Sequence, residues 1–187
     1  MRFWPQKRRK KILLTAFLIV LAVLVGIIGY FEWSVYREVE TETQVLNANG
    51  AKSALVIYHA GLTDFAQNIT YTYAEVLATR GWRVEIATAS PKAATDLAGY
   101  SLLVLCWPIY DLNPGPTITN HLQRIGNLNG IDTAIITISG GLDPLNAKDA
   151  MNKNVEDANG NIIQSLSSSR SNRNLDDLRE EAAKLTP

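Results

Sequence analysis

Apolar and polar positions along this chain fall into two regimes. Residues 12–31 contain no charged side chain, and twenty such residues in a helix rising about 1.5 Å each would cross the roughly 30 Å hydrocarbon core of a bilayer. The pattern predicts one transmembrane helix. From Ala51 onward, short unbroken apolar runs alternate instead with segments whose apolar residues recur at helical spacing.

The first run, Ala54-Leu55-Val56-Ile57-Tyr58, passes through a polar turn at 59–64 into a segment with Phe65, Ile69, Tyr73, Val76 and Leu77 on one helical face. An unbroken apolar run marks a strand whose sheet is covered by helices on both faces. The helix is predicted over 65–80, with Gly81 as its stop. Further strands are expected at 82–89, 101–106, 131–138 and, more weakly, 161–166. Helices are expected at 116–126, with Pro116 at an early position, at 144–157, and at 175–185 with Asn174 as N-cap; a short helix is expected near 92–97. Five strands alternating with helices imply an α/β fold with a doubly wound, five-stranded parallel sheet, because parallel neighbours need helical crossovers. In the common order 2-1-3-4-5, ligands bind beyond the carboxyl ends where the order reverses. The loops at 59–64 and 107–116 therefore carry the candidate site, and the first, opening a helix, offers backbone N–H groups to a phosphate.

Charge changes the picture at the membrane. The chain balances 18 basic against 18 acidic residues, yet Arg2, Lys7, Arg8, Arg9, Lys10 and Lys11 crowd its first eleven positions. By the positive-inside rule this cluster predicts a cytoplasmic N-terminus and a translocated C-terminal domain, a single-pass protein of the cell membrane with the lipid bilayer as its first partner. A cleaved signal peptide is the rival, but its apolar region is usually shorter and ends in small residues; this one ends Gly29-Tyr30-Phe31-Glu32-Trp33. Trp4 before the span, and Tyr30, Phe31, Trp33 and Tyr36 at its far end, suit interfacial aromatic belts. The expected organisation is a basic terminus at 1–11, the span at 12–31, a tether at 32–50 ending in the turn signal Asn47-Ala48-Asn49-Gly50, and one domain at 51–187. From Ala51 on there are eleven basic and fourteen acidic residues, with no basic face for nucleic acid.

Reactive residue types are few. Two histidines and one cysteine give no metal-ligand spacing. Ser139 lacks a Gly-x-Ser-x-Gly elbow, which argues against a hydrolase. Cys106 ends a buried strand and reads as a packed thiol, His121 falls in a helix expected to be exposed, and Trp107 is held extended by Pro108.

On these residues the chain resembles the flavodoxin-like family over roughly 54–185: the first strand with its helix-opening loop, Trp107-Pro108-Ile109-Tyr110 after the third strand, and Ser139-Gly140-Gly141 after the fourth. The resemblance implies an FMN site. His59, Gly61, Leu62 and Thr63 would wrap the phosphate, Pro108, Ile109 and Tyr110 would bring an aromatic onto the isoalloxazine, and Ser139, Gly140 and Gly141 would line its other edge. The first loop keeps only Gly61 and Thr63 of a pattern otherwise rich in hydroxyls, and a phosphate there requires the Asp64 side chain to face away. Electron transfer between a membrane donor or quinone and another protein is the function implied. The alternative is a flavin-free domain of the same fold, serving as a membrane-tethered interaction or assembly module.

Overall fold

A computed structural model describes residues 6–61, 63–110, 112–141, 145–170 and 175–187. Leu62, Asp111, Pro144 and Asn174, to which the sequence assigns roles in loops and helix starts, lie outside the described residues, as do Arg2 and Trp4. The chain divides into two units, 1–34 and 35–187, taken separately below.

The first unit is helical. The helix α1 spans Gln6–Tyr36, and its apolar part reaches a mean hydropathy of 3.0 with no side chain buried. It is long and apolar enough to cross a membrane, by length and composition.

In the second unit the elements run β1 (Gln44–Leu46), β2 (Lys52–Tyr58), α2 (Phe65–Thr79), β3 (Trp82–Thr88), β4 (Tyr100–Tyr110), β5 (Asn113–Pro114), α3 (Pro116–Ile125), β6 (Asp132–Ser139), α4 (Leu145–Asp157), β7 (Asn161–Ser169) and α5 (Leu175–Ala183). The sheet order is β1-β3-β2-β4-β6-β7, with β5 paired to β4 alone. The five parallel strands β2, β3, β4, β6 and β7 thus stand in the expected order 2-1-3-4-5, and the sheet is doubly wound. One antiparallel strand, β1, is added at the β3 edge.

Strand alternation sorts the core into two layers. Ala54, Val56 and Tyr58 of β2, Val104 and Cys106 of β4, and Ile136 and Ile138 of β6 pack with Ile69, Tyr73 and Leu77 of α2 and Leu178 and Ala182 of α5. On the other face Leu55, Ile57, Leu105, Trp107 and Ile135 meet Ile118 and Leu122 of α3 and Met151 and Val155 of α4. Both faces being covered, β2 and β4 are apolar without a break over 54–58 and 102–106, and β6 is mostly so, which is the pattern that made them readable. Helix α2 ends where expected, with Gly81 at φ +101, a conformation that costs glycine little.

Four expectations need correction. No helix forms at 92–97: Ala93 N–H closes a single turn onto Ser90 O at 3.2 Å. The Asp96 carboxylate then takes the Ala98 N–H at 2.9 Å, a local side-chain bond that competes with helix. The stretch read as a tether is in large part bound to the domain. Beyond the β1 pairing, the Thr88 hydroxyl donates to Val39 O at 2.5 Å, Asn47 Nδ2 donates to Trp82 O at 3.0 Å, and Glu38 and Glu40 pair with Arg124 and Lys92. The third parallel strand runs to Tyr110, so Trp107 to Tyr110 belong to a strand and not a loop. His121 is fully buried rather than exposed, because α3 turns it inward beside Ile118 and Leu122.

Candidate functional site

The carboxyl ends of β2, β4, β6 and β7 gather the candidate residues along one edge of the sheet. His59 follows β2 and is buried. Gly61 N–H folds back onto His59 O at 2.9 Å, making a tight turn, with Thr63 and Asp64 exposed beyond it. Asp64 is the N-cap of α2, yet its side chain makes no capping hydrogen bond; its carbonyl accepts the Asn68 N–H at 2.8 Å. The first amides of α2 are therefore not claimed by the Asp64 carboxylate, as a phosphate there requires.

Tyr110 ends β4 and leans over this turn. Its ring meets His59 edge-on, with centroids 6.0 Å apart and planes at 84°, and its hydroxyl lies 2.9 Å from where a Cβ on Gly61 would stand. Burial pushes the Tyr110 phenol up to about 12. The placement comes from the β4–β5 hairpin. Gly115 N–H donates to Pro108 O at 2.7 Å and the Trp107 indole N–H donates to Gly115 O at 2.9 Å. A Cβ at Gly115 would meet Pro108 O at 2.9 Å and Tyr110 Cε2 at 3.3 Å, so this close return of the chain requires glycine. Trp107 is fully buried and anchors the hairpin. Pro108 is likewise buried, and Ile109 is half-buried and paired to Pro114.

The fourth strand places Ser139 at the same edge. Two strand positions from β2, it stands about 10 Å away at ordinary strand spacing. The Ser139 and Ser168 hydroxyls are buried with no hydrogen-bond partner among the described residues, while Gly140 and Gly141 are exposed. Of the residues the sequence singled out, His59, Gly61, Thr63 and Tyr110 come together, Ser139 with its glycines lines the far side, and Leu62 lies outside the described residues.

One residue at the edge escaped the sequence reading. Arg170 follows β7, its N–H donating to Ser139 O at 3.2 Å. Its guanidinium donates to the Thr63 hydroxyl and lies 5.8 Å from the centroid of the Phe65 ring. Ending the last strand at 166 hid this position; Ser165, Ser167, Ser168 and Ser169 carry no apolar signal, although the strand continues through them.

Tested against a flavin mononucleotide, the residues fit. Amides at the start of α2, a guanidinium and the Thr63 hydroxyl suit the phosphate, and the Tyr110 ring, with the buried Ser139 hydroxyl across the edge, suits a flat heteroaromatic ring.

No family model matches this chain, and no curated protein matches it by sequence. Solved structures do match in fold. Flavodoxin 1 from Bacillus cereus is 8% identical, with a TM-score of 0.60 over 71% of this chain and 96% of its own. Megasphaera elsdenii flavodoxin in its two-electron reduced form is 16% identical, at 0.58 over 70% and 99%. An azoreductase from Bacillus anthracis is 9% identical, at 0.57 over 72% and 100%.

Proposed function

We propose, for a chain whose folded domain is flavodoxin-like, that this domain binds FMN at the carboxyl edge of its sheet and passes electrons. The supporting observation is the convergence of Tyr110 and the α2 amino terminus at the point where strand order reverses, the position at which open α/β sheets hold ligands. When bound, the flavin supplies the redox chemistry. The chain's own residues hold and orient it. The α2 amides and Thr63 take the anionic end; Tyr110, a neutral phenol, offers a ring face without competing charge; the Ser139 hydroxyl supplies a hydrogen bond on the opposite side. Helix α1 is read as an anchor, with the basic terminus cytoplasmic and the domain outside, and a membrane quinone or another protein as electron partner.

Absorbance titration of the full chain in detergent with FMN tests this. Flavin bands retained near one equivalent after removal of the excess are expected, and a folded protein that retains none would overturn the reading. One observation favours the flavin-free module instead: the Tyr110 hydroxyl is packed down on Gly61, closing the first loop with the chain's own aromatic. The same titration separates the two readings.

A further inference from the structure

We propose that Arg170 supplies the charge of an anion site at the α2 amino terminus, which selects a phosphate monoester over a neutral ligand. Arg170 is exposed, and no carboxylate among the described residues pairs with it. Among the described residues its side-chain contacts are the Thr63 hydroxyl and the Phe65 ring, both at the start of α2. A guanidinium held this way has most of its donor fork directed at neither partner. Its position is set by the sheet, since the Arg170 N–H is bonded to Ser139 O.

A second observation points to a ligand independently. Ser168 is 4% exposed and its hydroxyl has no hydrogen-bond partner among the described residues, a state that is costly for a buried hydroxyl unless a ligand meets it. Strand alternation puts Ser168 on the same face as Leu166, which packs into the layer under α2. Its register partner Ile138 belongs to that layer too. Two residues later on the same face comes Arg170. The buried hydroxyl and the guanidinium, from the end of β7, thus face the same region as the α2 amides.

The chemistry fits a phosphate monoester. Its dianion accepts a bidentate guanidinium pair and amide donors together, and the charge-assisted bonds replace the hydroxyls missing from the first loop. The surrounding domain carries more acidic than basic residues, so attraction depends on this local cation. The proposal rests on the flavin reading only for which phosphate ester occupies the site; the anion site itself does not.

The test compares the full chain with Arg170→Gln and Arg170→Lys in detergent, by titration with FMN and with riboflavin. The wild type is expected to prefer FMN by about tenfold or more, Arg170→Gln to lose about tenfold in FMN affinity with riboflavin unchanged, and Arg170→Lys to recover part of it. An unchanged FMN-to-riboflavin ratio in Arg170→Gln would overturn the proposal and leave the flavin reading standing. Should neither flavin bind the wild type, the flavin reading fails, and thermal stabilisation by inorganic phosphate against chloride at equal ionic strength decides the anion site. A shift present in the wild type and absent in Arg170→Gln supports it; equal shifts, or none, overturn it.

Discussion

The Tyr110 hydroxyl and the Gly61 α-carbon are so close that a methyl group on Gly61 would stand 2.9 Å from the oxygen. The obstacle is the far end of a rotatable side chain. At Gly50 the same test meets Arg83 N at 2.0 Å and Trp82 C at 2.4 Å, both backbone. Gly61→Ala is therefore expected to cost under about 1 kcal/mol, and Gly50→Ala about 1–3 kcal/mol or more, as overpacking does. Urea unfolding of both variants measures the difference; equal costs would contradict the argument.

Tyr110→Ala is expected to weaken FMN binding by about tenfold or more, as loss of a ring contact worth about 1–1.5 kcal/mol or more implies. Its half-buried position keeps the stability loss modest. Unchanged flavin affinity with an intact fold would remove Tyr110 from the site.

His121 gives the domain an acid limit. Burial, and then the Arg124 guanidinium 3.5 Å from its Nδ1, pull His121 down to about 4, with Glu38 the acid facing the pair through Arg124. Unfolding restores the ordinary value near 6.5, so between these values the unfolded chain binds the extra proton. Stability from this group is complete above about pH 6.5 and falls as pH drops toward 4, by about 3 kcal/mol in all. Urea unfolding at pH 7.5 and 5.0 should show a steeper loss in the wild type than in His121→Gln, and parallel losses would exclude His121 as the source.

Beginning the chain at Ala51 instead of Val35 removes β1, the Thr41 and Asn47 hydrogen bonds and the Glu38 and Glu40 ion pairs. At about 1 kcal/mol for each buried or half-buried hydrogen bond, the shorter chain is expected to lose about 3 kcal/mol. It also exposes the β3 edge to pairing with other chains. Thermal unfolding and sedimentation of both lengths test this, with equal stability the adverse outcome.

Cys106 lies in the core, and burial pushes its thiol up to about 12. A disulfide reagent should leave it untouched in the native protein and label it only on unfolding. Rapid native labelling would show that the strand end opens.

What the sequence determined by itself is the class of the molecule. Residues 54–58 and 102–106 are apolar without interruption, and 131–138 is broken only by Asp132, Thr133 and Thr137, because these strands are buried on both faces, so their number and alternation with helices dictate a doubly wound parallel sheet. The charge-free run at 12–31 is legible for the same reason, since composition alone sets how a helix meets hydrocarbon. Where the pattern is weak, tertiary structure decided. Gln44–Leu46 is a strand only because β3 offers an open edge, and β7 runs on through serines because β6 pairs with it to Ser169. His121 is polar in sequence and buried in space because the α3 face it occupies is defined by Ile118 and Leu122. Arg170 reaches Thr63 across 107 positions of chain, a meeting that no local pattern records, because contacts at the carboxyl edge are made by the order of the strands.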